Sequence, residues 1–266
     1  MEREMINLLF LIVSFSASLI GAICGIGGGV IIKPLLDSLN VLSVSAISFL
    51  SGCTVLAMST YNVIKGKLSK DSQVKTNIGL PLAIGAASGG IIGKILFSYI
   101  QNLSSNPDRV GSIQAISLGI LVLGTLIYTI NKDKIKTLNI QSSIACLILG
   151  LCLGVFSSFL GIGGGPFNIV VLYFFFSMET KEAGEYSIYT IFFSQLANLI
   201  YSLIKGNIPE IGLLVLTLMI IGGITGGIFG RNIKRRIKSK TVDKLFIGLM
   251  IVIIGICIYN TCLYMN

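Results

Sequence analysis

Apolar runs long enough to cross a bilayer recur along the whole chain. Six lie near residues 43–64, 77–100, 112–130, 183–204, 208–230 and 242–264, and two longer regions, 5–39 and 140–178, are apolar but interrupted by glycines. A helix crosses roughly 30 Å of hydrocarbon with about 20 residues. In lipid every backbone amide must bond within the protein, so only helices and closed barrels can span. Barrel strands read as short alternating segments, whereas these runs are continuous and rich in Ile, Leu and Gly, so the fold expected is an all-α integral membrane protein. Composition agrees: 53% of the 266 residues are hydrophobic and 12% charged, a balance foreign to soluble domains.

The chain repeats itself. Gly25-Ile26-Gly27-Gly28-Gly29 recurs as Gly161-Ile162-Gly163-Gly164-Gly165, an offset of 136. Tyr61, Lys65 and Gly66 are answered by Tyr201, Lys205 and Gly206, and the row Gly85, Gly89, Gly93 by Gly222, Gly226, Gly230. Such self-similarity marks two copies of one unit, 1–130 and 139–266, joined by a polar linker at 131–138. Each unit holds a glycine-broken, re-entrant-like region followed by three transmembrane helices. Rows of glycine at every fourth position let neighbouring helices approach closely.

Orientation follows from the basic residues, which gather in cytoplasmic loops. If all eight apolar regions crossed once, the 20 Lys and Arg would divide nine to eleven. If each broken region returns to its starting side, the second unit is inverted and fifteen share one face, leaving Arg3, Lys33, Lys94, Arg109 and Lys205 on the other. Two inverted repeats with both termini outside are therefore expected. Residues 140–160 strain this scheme, being long enough to cross completely.

Non-helical backbone at membrane depth must be buried in protein or line a watery cavity. Consecutive glycines can turn their N–H groups toward one point, and a short helix restarting after them adds its positive N-terminal end. Pro166 fits such a restart, since proline at a first helical position lacks only an N–H that would be unpaired anyway. Two inverted breaks near the midplane would hold a small anion, as in several secondary transporters. Close packing at a kink would demand glycine equally, so both readings stand. On the first, Gly25, Gly27, Gly28, Gly29, Gly161, Gly163, Gly164, Gly165 and Pro166 bind substrate. Lys33 follows the first break by one turn, where a cation would complete the site or snorkel outward; Asn168 follows the second and offers an amide. Glu185, near the start of a span, is a candidate for a coupling proton, against a role at a wetted cytoplasmic edge. Lys94, near the end of its span, is expected to snorkel.

The stretches GIGGGVIIKPLL and GIGGGPFNIVVL, each heading a similar half and each followed by a span ending in a Lys-Gly turn, resemble the sulfite exporter TauE/SafE family of membrane transporters over essentially the whole chain. The resemblance implies secondary transport of small anions, often sulfur oxyanions or organosulfonates, across the bacterial inner membrane. It reaches the glycines above together with Pro34 and Pro166. The family's Ala-x-Gly-Thr-Ser-like stretch opening the next span is poorly kept: Ala46-Ile47-Ser48-Phe49-Leu50 and Ala183-Gly184-Glu185-Tyr186-Ser187 preserve the alanines and Ser187.

Rival classes fare worse. An intramembrane enzyme would lack the commonest general base, since the chain has no histidine, and no pair of carboxylates lies mid-span. A structural subunit would not need duplicated irregular backbone at membrane depth. Six cysteines without CxxC spacing imply neither a disulfide framework nor a metal site; no cofactor or catalytic residue is expected. The formal charge of +9 is read as topology signal rather than as a nucleic-acid surface. The leader-like N-terminus is read as retained, because Glu2 and Glu4 flank it and its pattern recurs mid-chain. Partners expected are a small anionic solute and the lipid bilayer, and nothing in the pattern opposes a homo-oligomer.

Overall fold

A computed structural model describes residues 2–39, 41–69, 71–103 and 107–265; Lys70, counted above among the loop cations, lies outside them. The described chain is helical: α1 (Glu2–Cys24), α2 (Gly29–Leu39), α3 (Val44–Leu68), α4 (Thr76–Leu103) and α5 (Pro107–Asn131), a 3-10 turn at Lys132–Lys134, then α6 (Ser143–Phe159), α7 (Pro166–Phe176), α8 (Thr180–Ile204), α9 (Leu213–Arg236) and α10 (Ser239–Met265). The glycine stretches are where α1 gives way to α2 and α6 to α7. Local chemistry sets several ends. The Ser43 side chain accepts from the Ala46 amide at the start of α3, Pro166 opens α7, and Ser177, at φ 55°, closes it.

Among the described residues seven helices are long and apolar enough to cross a membrane, one more than the six uninterrupted runs suggest. The seventh is α1, whose 23 residues reach about 34 Å at 1.5 Å per residue. Yet α2 turns back along it: Gly28 meets Ser18, while Ile32 and Leu36 share a cluster with Phe10, Val13 and Ala17. The second break behaves alike. The Leu138 and Ile140 amides, just ahead of α6, donate to the Phe174 and Phe175 carbonyls at the end of α7, at 2.9 and 2.7 Å. That pairing, with Asn139 between the two donors at φ 50°, keeps residues 138–140 out of the helix, so α6 has only 17 residues rather than the full crossing its sequence suggests.

The glycine rows join helices far apart in sequence. On α4, Gly85, Gly89 and Gly93 press against the carbonyls of Leu147, Leu151 and Val155 of α6; on α9, Gly222, Gly226 and Gly230 press against those of Leu11, Phe15 and Leu19 of α1. Residue numbers rise together in both pairs, so the partners run parallel. A second row on each helix, Ala86-Gly90-Lys94 and Gly223-Gly227-Arg231, faces elsewhere: Gly90 meets Ser194 of α8, and Gly223 and Gly227 meet Thr54 and Met58 of α3. Helices α3 and α8 thus sit at the centre, touching through Val55 and Ile191.

Candidate functional site

The two breaks share their backbone turn at the first and third positions and part at the fourth, where Gly164 but not Gly28 has a positive φ. Gly25 and Gly27 lie at φ 79° and 73°, Gly161 and Gly163 at 66° and 69°, a left-handed region that costs other residues about 1–2 kcal/mol each. Between them Ile26 and Ile162 are completely buried. A Cβ built on Gly27 would lie 3.4 Å from both Val55 Cγ1 and Ile191 Cδ1 and 3.9 Å from the Gly163 carbonyl, and one on Gly29 would overlap the Ile162 carbonyl. Val55 and Ile191 fall near the midpoints of α3 and α8. The breaks therefore converge halfway along the central helices.

Their polar groups are incompletely used. Ile26 donates to the Gly21 carbonyl at 3.0 Å and Gly163 to the Ser157 carbonyl at 3.3 Å, but the amides of Gly27, Gly28, Gly29, Gly164 and Gly165 have no acceptor among the described residues. Around them Ser18, Ser48, Ser51 and Ser157 hydroxyls, Asn168 Oδ1 and Gln195 Nε2 are buried without a partner. The hydroxyls of Ser18 and Ser51 lie 3.0 and 2.8 Å from Cβ positions built on Gly28 and Gly29, and that of Ser48 lies 2.5 Å from one on Gly161. Each buried polar group left unsatisfied costs about 1–3 kcal/mol, so a concentration of them in one place calls for a reason.

Other candidates land differently. Lys33 does not snorkel: its Cε lies 3.2 Å from a Cβ built on Gly161 of the second break, its ammonium is 2.6 Å from Asp37 Oδ2, and the lysine is 2% exposed. The i,i+4 spacing puts both on one helix face, and a buried charge needs a partner. Gln114 and Asn260 share their small pocket, and Asn260 donates to the Pro34 carbonyl at 2.7 Å. Asn168 reaches Ser187 on α8 only at 3.4 Å. Glu185 accepts from the Gln73 amide at 2.8 Å. Lys94, expected to snorkel, is buried, with its ammonium 5.2 Å from the Phe97 ring centre. The second small-residue row explains this, since its fourth-residue spacing carries Lys94 onto the face against α8.

A cavity of about 530 Å³ opens beside the breaks, lined by Asn62, Gly66, Lys181, Glu185, Arg231 and Lys234 among others. Ala22, two residues before Cys24, forms part of its wall, but the break glycines do not. Arg231 is spoken for, with one Nη 2.7 Å from Asp71 Oδ1 and the other donating to the Asn62 carbonyl at 3.2 Å. Lys234 donates to the Lys181 carbonyl at 3.2 Å. Sequence reasoning assigned Arg231 and Lys234 to a loop cluster and so missed the cavity. The signal was present: Lys234 is the next member of the row Gly222, Gly226, Gly230, four residues on and facing inward with it.

The model of the family described as sulfite exporter TauE/SafE matches residues 10–256, nearly the whole chain. The chain belongs to this family. TauE/SafE proteins are membrane transporters, in keeping with the apolar helices, and the match spans both glycine breaks and the cavity wall. No curated protein and no solved structure matches the chain.

Proposed function

We propose that the protein is a secondary transporter that moves small anions, sulfur oxyanions or organosulfonates, across the bacterial inner membrane, holding them at the two glycine breaks. One observation carries this reading: unpaired amides of Gly27, Gly28, Gly29, Gly164 and Gly165 converge with unsatisfied hydroxyls and amides at the mid-length of α3 and α8. Backbone N–H groups and the N-terminal ends of α2 and α7 favour negative charge, and sulfur oxyanions offer several oxygens to such donors. In this arrangement α1–α2 and α6–α7 are hairpins entering from opposite faces, the two repeats are inverted, and the basic face carrying the cavity is cytoplasmic. Outward movement of each negative charge from a negative interior gains about 2.3 kcal/mol per 100 mV, which favours export.

Reconstituted protein loaded with sulfite, sulfate, thiosulfate, sulfonates or carboxylates should show saturable efflux of at least one sulfur-containing anion. Absence of flux for the entire panel would remove the reading.

A further inference from the structure

The cavity has a shut counterpart at the other end of the central helices. A crevice of only about 20 Å³ is lined by Ser48, Phe49, Gly52, Lys94, Asn198 and Ser202, with Cys53, Gln195 and Leu199 completing it. The offset of 136 that relates the breaks turns Asn198 and Ser202 back into Asn62 and Gly66, and carries Phe49 and Gly52 forward to Glu185 and Ile188, all four on the wall of the large cavity. The cavity uses the C-terminal half of α3 with the N-terminal half of α8; the crevice uses the reverse. Its third wall follows the same rule, because the offset of 137 that relates the glycine rows carries Lys94 to Arg231, with Lys234 one turn beyond.

These two places hold buried cations that no carboxylate reaches at ion-pair distance among the described residues, although Glu185 shares the cavity wall with Lys234. Lys234 is 8% exposed and Lys94 7%, yet neither has an ion-pair partner among the described residues, whereas Lys33, Lys132 and Arg231 each do. Each also stands beside a break. The Lys234 ammonium is 2.9 Å from a Cβ built on Gly184, and that position is 3.2 Å from the Gly25 Cα. Ser48, equivalent to Gly184, lines the Lys94 crevice and touches Gly161, equivalent to Gly25. An unpaired ammonium in a low-dielectric site is costly unless an anion neutralises it.

We propose that Lys234 and Lys94 are the two cationic stations of an anion path, one on either side of the glycine breaks, and that the cavity and the crevice are the same vestibule open and shut. The inference rests on the anion-transport reading above and adds to it which side chains receive the solute. A small oxyanion or sulfonate enters the cavity, pairs with Lys234, passes the unpaired amides of the breaks and leaves past Lys94 once that crevice widens and the cavity closes.

The test uses full-length protein reconstituted in a single orientation at pH 8, with sulfite, thiosulfate and 2-hydroxyethanesulfonate as probes, presented in turn at each face. Lys234→Gln should raise the half-saturating concentration about tenfold at the cavity face only, the effect of losing one charge-assisted bond; Lys94→Gln should do so at the opposite face only. Lys234→Arg and Lys94→Arg, which keep the charge, should each lose less than the corresponding Gln variant at the same face, and melting in detergent shows whether each variant remains folded. Unchanged half-saturation at both faces overturns the proposal, as does a loss of maximal rate that is equal at both faces and follows melting temperature. If wild-type protein moves none of the probes, the transport reading itself falls.

Discussion

Gly184 separates the first glycine break from a buried ammonium: a side chain there would meet the Gly25 Cα at 3.2 Å on one side and the Lys234 Nζ at 2.9 Å on the other. Gly184→Ala should therefore displace the flexible lysine, and Gly184→Val should push on the break itself, with an overpacking cost of about 1–3 kcal/mol. Efflux should fall in the order wild type, alanine, valine, while membrane insertion persists. Equal efflux from all three would show that nothing passes this point.

Valine at Gly164 would collide with the Ile191 side chain at a φ of 143°, and valine at Gly28 would press on Ser18 at 3.0 Å. Both variants should abolish flux yet insert normally. Gly248 and Gly255 have open space where a Cβ would go, so Gly248→Ala and Gly255→Ala should transport as wild type and calibrate the assay.

Asp37→Asn would strand the Lys33 ammonium in the interior. Breaking a buried pair by removing one partner costs about 3–5 kcal/mol, so the melting temperature in detergent should drop clearly. The double replacement Lys33→Met with Asp37→Leu removes both charges and should recover most of the loss. A double variant no more stable than Asp37→Asn would mean that the pair does more than neutralise itself.

Topology can be read directly. A reporter fused after Asn266 and one inserted in the loop between Lys65 and Lys75 should be accessible from opposite faces, as inverted repeats require. In a background without native cysteines, Asn62→Cys should react with a charged thiol reagent applied at the cytoplasmic face, and Ser202→Cys should react slowly from either face.

The positions of α3, α4, α5, α8, α9 and α10 were legible because lipid tolerates only long, uncharged helices, and the breaks were legible because consecutive glycines disfavour helix and the stretch occurs twice. The Lys33–Asp37 pair was hidden by weighing Lys33 only as an anion ligand or a snorkelling cation, although the i,i+4 spacing was in view. Lys94 and Lys234 were hidden by the rule that basic residues near span ends seek water. That rule fails when a row of small residues draws the neighbouring helix over the same face, and both lysines end such a row. The short α6 was hidden because its upstream segment is held out of the helix by hydrogen bonds to the end of α7, a pairing that no local pattern encodes.

The parallel seating of α1 on α9 couples chain segments made far apart in time. During synthesis α1 enters the membrane first and must wait for about two hundred residues before the glycine row at 222–230 emerges to receive it, while α4 waits only for α6. A chain stopped short of Leu213 leaves the carbonyl ridge of Leu11, Phe15 and Leu19 facing lipid, so quality-control proteases should recognise such fragments even when every earlier helix is inserted.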